Sequence, residues 1–123
     1  GALAQELMAE YDDTSIKFHN WWNAPQTWAK IQSIDASGSH ANWMENFPWT
    51  RLAHAPAPKG EKPCVDMEMM RASSPAQVRS FLGDGSFGGP WQRPDEEMLA
   101  VWDVGVAETR AALEVPWPTA QNA

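Results

Sequence analysis

His40 and Glu45 are the two side chains whose types and spacing best suit proton transfer. They stand five residues apart in Gly38-Ser39-His40-Ala41-Asn42-Trp43-Met44-Glu45-Asn46, where a Gly-Ser turn hands over to an apolar segment. A neutral imidazole with a carboxylate nearby suits general acid–base work near pH 7. The same residues also read as a capped helix start, where the helix dipole favours an acid and a neutral histidine. Glu45 has a third use, as a ligand of a divalent metal. No second His, Cys or acid stands beside it at zinc-like spacing, so most metal ligands would come from elsewhere. Upstream, Trp21-Trp22 offers indole walls for a flat polar ligand. On a strand these neighbours point to opposite faces, so at most one lines any single pocket. Otherwise one fills the core and the other covers a helix.

The remaining chemistry-bearing residues read as structural. His54 falls in a surface loop, and His19 ends a predicted strand in a structural role. Cys64, in a Pro-Cys-Val context, reads as a small buried residue. Asp66 and Glu68 would share a face only in a strand. Gly83-Asp84-Gly85-Ser86-Phe87-Gly88 satisfies G-x-G-x-x-G literally. A dinucleotide site needs a strand before the first glycine and a helix at the last. Here a helix precedes the motif, more loop follows it, and Asp84 would repel a pyrophosphate. Its glycines read as tight turns with positive φ.

The elements that must position these residues follow from pattern. Ala2 to Glu10 reads as a helix, and Tyr11-Asp12-Asp13 as a turn. Thr14 to His19 alternates β-favouring residues and predicts a strand. Pro25 opens a helix through Ile34, with Trp28, Ile31 and Ile34 on its apolar side. His40 to Leu52 predicts a helix broken or kinked at Pro48. Ala53 to Lys62 predicts an extended surface connection. Val65 to Arg71 fits either a short strand or a helical turn. Ser74 caps a helix that starts at Pro75 and runs to Leu82. Pro94 to Glu114 is the longest helix, with three acids in its first turn. Its expected packing stripe is Met98, Trp102, Gly105, Thr109 and Ala112, widened by Val101, Val106 and Leu113.

The chain has 123 residues, the size of one domain. Its 43% hydrophobic and 20% charged content fits a globular protein rather than a disordered tail. A net charge of -7 and scattered basic residues argue against nucleic acid as partner. No apolar run is long enough to span a bilayer, and residues 1–10 do not read as a signal peptide. The single cysteine rules out an internal disulfide and favours a reducing cytoplasm. Several helices with one good strand make an incomplete element list, since an isolated two-stranded element is marginal in water. The expectation is an obligate partner chain.

These residues together resemble the C-terminal half of the creatininase (creatinine amidohydrolase) family. The resemblance rests on the predicted strand ending in Trp21-Trp22, on His40-Ala41-x-x-x-Glu45, and on Gly83-Asp84-Gly85 before a long terminal helix. It covers nearly the whole chain as a single partial domain, 1–123. It implies an α/β class, the C-terminal part of a three-layer α/β/α fold completed by a partner chain. It implies hydrolysis of a C–N bond in a cyclic amide or related small molecule. His40 would carry the proton and Glu45 would lie in the active site and reach the metal. Trp22, with Trp21, would pack on the substrate. A divalent zinc, manganese or iron ion would be held mainly by an N-terminal-half chain, in a higher hetero-oligomer. Gly1 would fall just behind that half's metal motif. The chain departs from the family in reading Glu45-Asn46-Phe47-Pro48 where the family enzyme has Glu-Thr-Ser, which leaves the substrate open. The rival expectation is a non-catalytic binding or assembly subunit, with His40 and Glu45 as caps and the tryptophans as interface anchors.

Overall fold

The structure is a computed structural model that describes residues 1–117. Its regular elements are α1 (Ala2–Glu10), α2 (Pro25–Ile34), α3 (Met67–Arg71), α4 (Pro75–Leu82) and α5 (Asp95–Glu114). Single 3-10 turns lie at Trp21–Asn23, Trp43–Glu45 and Pro48–Thr50. Among the described residues the one β pairing is an isolated antiparallel bridge between Lys62 and Gly89. The three-layer α/β/α fold expected from sequence is therefore overturned: the described residues form no sheet for helices to cover.

Thr14 to His19 shows why. Its alternation marks a chain that suits a half-buried surface, and a strand also needs a partner ladder. Instead the segment is tied by single contacts. Ile16 N–H meets Met8 Sδ at 3.3 Å. Lys17 Nζ donates to the Ala112 carbonyl at 2.6 Å, and His19 Nε2 shares a 3.0 Å hydrogen bond with the Thr109 hydroxyl. The ammonium thereby satisfies a carbonyl in the last turns of α5, where the helix end is negative.

The expected helix over His40 to Leu52 is also replaced. Ala41 has φ +50, which no right-handed helix accommodates. Asn42 then uses its own side chain to accept from Ser39 N–H and Met44 N–H, each at 3.1 Å. Such local side-chain bonds compete with helix formation. Pro48 opens a 3-10 turn of its own, so the break is where the proline predicts and the helix is not.

Other elements follow local rules. Ser74 and Gln77 form a capping box around Pro75 at the start of α4. Asp95, Glu96 and Glu97 occupy the first turn of α5. The glycine loop has positive φ at Gly83, Gly85 and Gly88. Gly88 is the constrained one: a Cβ there would sit 2.1 Å from the Pro63 carbonyl oxygen. Cys64 is exposed, not buried as its context implied.

The chain divides into two compact units. One comprises Gly1–Trp28 with the chain from Asp103 onward, and its buried residues include Met8, Ala24 and Thr27. The other is Ala29–Trp102, which buries Ile31, Trp43, Met44, Phe47, Met98 and Val101. Burying Ile31, Met98 and Val101 stabilises by about 1.5–3 kcal/mol each. Trp28, Trp102, Val106 and Leu113, assigned above to apolar packing sides, are exposed. On both long helices the sequence carries apolar residues on two adjoining faces, and periodicity alone does not say which turns inward. No helix among the described residues is long and apolar enough to cross a membrane.

Candidate functional site

His40 and Glu45 do meet. His40 Nδ1 lies 3.2 Å from Glu45 Oε1, and Glu45 Oε2 accepts from Ala41 N–H at 3.0 Å. Both side chains are half exposed, 53% and 50%. The carboxylate thus closes the turn around Ala41, whose left-handed backbone costs about 1–2 kcal/mol. The His40 carbonyl accepts from Phe87 N–H at 3.2 Å, and its ring stands edge-on to Phe87 with centroids 5.2 Å apart. Beneath them Asn42 ties the loop together, donating to the carbonyls of Ser37 at 2.7 Å and Gly88 at 2.9 Å. The pair is built as a clasp on an exposed loop, not at the mouth of a helix.

Trp21 and Trp22 belong to the other unit. They stand on a 3-10 turn rather than a strand, so the opposite-face argument does not apply to them. Trp21 covers Gly105, where a Cβ would come within 3.2 Å of its ring. Trp22 packs edge-on against Trp28 at 6.3 Å. Among the described residues, no three His, Cys, Asp or Glu side chains gather as a metal shell requires. One oxygen of Glu45 is also occupied by Ala41. The donors of the described residues by themselves do not form a divalent-metal shell.

Sequence reasoning missed Glu108. Its carboxylate accepts from Gln26 N–H at 2.9 Å, Thr27 N–H at 2.8 Å and the Thr27 hydroxyl at 2.8 Å. It caps α2 from α5, because Pro25 has no N–H to offer and Ala24 before it has no capping side chain. Burial opposes ionisation of Glu108, but the Gln26 and Thr27 donors outweigh it, with help from His19, and hold the carboxyl below its usual range. Two clues lay in the sequence. Ala24-Pro25 is a helix start without its own cap, and Glu108 falls in helical register with Val101, Gly105 and Ala112.

Glu108 also lines an open cleft of about 460 Å³ with Phe18, His19, Asn20, Asn23, Pro25 and others of its unit. A second groove of about 450 Å³, in the other unit, is lined mainly by Pro75, Val78, Leu82 and Gly83, with Arg79 as its charge. Neither groove includes His40 or Glu45.

A third feature is aromatic. Phe47, Trp49 and Trp102 form one cluster: Phe47 stacks on Trp49 at 5.1 Å, and Trp102 meets Trp49 edge-on at 4.9 Å. Phe47 is buried, while Trp49 and Trp102 remain 53% and 43% exposed. Compared with protein-family models, curated proteins and solved structures, the chain finds no match.

Proposed function

We propose that this chain is a non-catalytic binding or assembly subunit that engages a partner protein through its aromatic surface. The observation that supports this reading is the Phe47–Trp49–Trp102 cluster, which leaves two adjoining indoles about half exposed. Single exposed apolar residues are ordinary, whereas adjoining large ones favour a covering surface. Aromatic rings are also the commonest anchors of protein interfaces. The role of Glu45 in closing the Ala41 turn gives the His40–Glu45 contact a structural purpose that needs no substrate. Native mass spectrometry of the chain purified from its own cells tests the reading. The parent should appear in a complex that Trp49→Ser with Trp102→Ser dissociates. A monomer for the parent, or a complex indifferent to both changes, refutes it.

A second reading is favoured by the 3.2 Å His40–Glu45 contact itself. In it the pair handles protons for C–N bond hydrolysis in a hetero-complex whose partner holds the metal. His40→Ala in the assembled complex should then abolish turnover and leave metal content unchanged. Unaltered turnover removes His40 from the chemistry.

A further inference from the structure

We propose that the cleft lined by Phe18, His19, Asn20, Asn23 and Glu108 binds a primary alkylammonium group. The inference uses none of the residues of the Phe47–Trp49–Trp102 cluster, so it stands or falls independently of the assembly reading.

The cleft offers acceptors with free capacity. Glu108 accepts three hydrogen bonds; an ionised carboxylate offers about four lone-pair sites, so one direction remains. Two of those three bonds fall on Oε2, which leaves the remaining capacity on Oε1. Among the described residues no hydrogen bond engages the side-chain amides of Asn20 and Asn23, and His19 bonds only through Nε2. Each amide adds a carbonyl acceptor beside an NH2 with two donors, and His19 Nδ1 accepts only in the tautomer protonated at Nε2. An ammonium group has three donors and no acceptor, which suits the Glu108 carboxylate together with the two amide carbonyls.

Charge and shape point the same way. No Lys or Arg lines the cleft, and Glu108 is its one carboxylate. A net charge of -7 raises the local concentration of cations around the chain. Phe18 is 84% exposed beside these acceptors, which leaves its ring open to a ligand in the cleft. A cation over such a face is attracted to the ring. The volume of about 460 Å³ admits a small aliphatic amine with room for its chain. The opposing charge is Lys17, one residue before Phe18. Its ammonium is already engaged by the Ala112 carbonyl at 2.6 Å and stands 5.2 Å from the centre of the Trp117 ring. That arrangement, carbonyl acceptors with an aromatic face, is the same chemistry within the same unit.

Titration of the isotopically labelled chain with n-butylammonium chloride, at constant ionic strength, reads the proposal by NMR. Amide signals of residues 18–23 should shift saturably, and 1-pentanol, the neutral isostere, should leave them in place. Phe18→Ala, at a position too exposed to carry the fold, should weaken binding about two- to fivefold. Asn23→Ala should weaken it further. A lysine with both ends blocked distinguishes the source: tighter binding than butylammonium marks a protein-borne lysine, and equal binding marks a free amine. The proposal is overturned by three results: no saturable shift up to about 100 mM amine, equal shifts with pentanol, or affinity unchanged in the Phe18→Ala, Asn23→Ala double variant.

Discussion

Replacing Glu108 by alanine withdraws the acceptor for both N–H groups that open α2 and for the Thr27 hydroxyl. Losing a helix N-cap costs about 0.5–2 kcal/mol. Thr27 is fully buried, so its N–H and hydroxyl cannot turn to water. Leaving buried donors unpaired costs about 1–3 kcal/mol more. The sum, about 1.5–5 kcal/mol, is a large share of the stability of a domain this size. With a urea dependence of about 2 kcal/mol per molar, the unfolding midpoint should fall by about 0.8–2.5 M. Glu108→Gln keeps one acceptor oxygen and should fall between parent and alanine. Adding Thr27→Val to Glu108→Ala removes one stranded donor, so the double variant should lose less than the sum of the single losses. The effect has a pH signature. The folded carboxyl titrates below its ordinary value of 4.5, so the folded state binds fewer protons than the unfolded one. The stability Glu108 supplies is complete above that value and is lost as pH falls through the lower folded one. Asp35, held low by the Ser37 hydroxyl and N–H, titrates in the same acid region. The parent-minus-Gln difference in unfolding free energy isolates Glu108. A midpoint for Glu108→Ala within about 0.3 M of the parent, or a difference that does not shrink in acid, would refute the cap.

Gly88→Ala places a Cβ 2.1 Å from the Pro63 carbonyl oxygen and 2.8 Å from Cys64 Cα, both backbone, at φ +86. It should cost about 3 kcal/mol or more and lower the thermal midpoint by about 10 °C; an unchanged midpoint contradicts this chain crossing. Lys62 donates to the Leu82 carbonyl, to Asp84 Oδ1 at 2.8 Å and to the Ser86 carbonyl at 2.7 Å, which uses its three N–H donors. Lys62→Met should speed amide hydrogen exchange in residues 83–89 about tenfold while sparing α5, and uniform exchange across the chain would argue against a local clamp.

Most helix starts are legible in the residues around them. Ser74-Pro75 with Gln77, and Pro94 followed by three acids, are complete instructions, because a helix start is decided by donors and charges within about four residues. Ala2–Glu10 was legible from its apolar side, Pro25–Ile34 from the proline that opens it, and the glycine loop from its glycines. The tertiary structure decided whatever needs a distant partner. Thr14 to His19 looks like a strand, but its hydrogen bonds run to Met8, Ala112 and Thr109, so the sheet and the fold built on it vanish. The His40–Glu45 spacing was readable as a contact, whereas the left-handed turn at Ala41 that Glu45 closes leaves no mark in periodicity. Glu108 lies more than 80 residues along the chain from the helix it caps. A side chain's own neighbours say whether it is able to bond; only the folded chain says what it reaches.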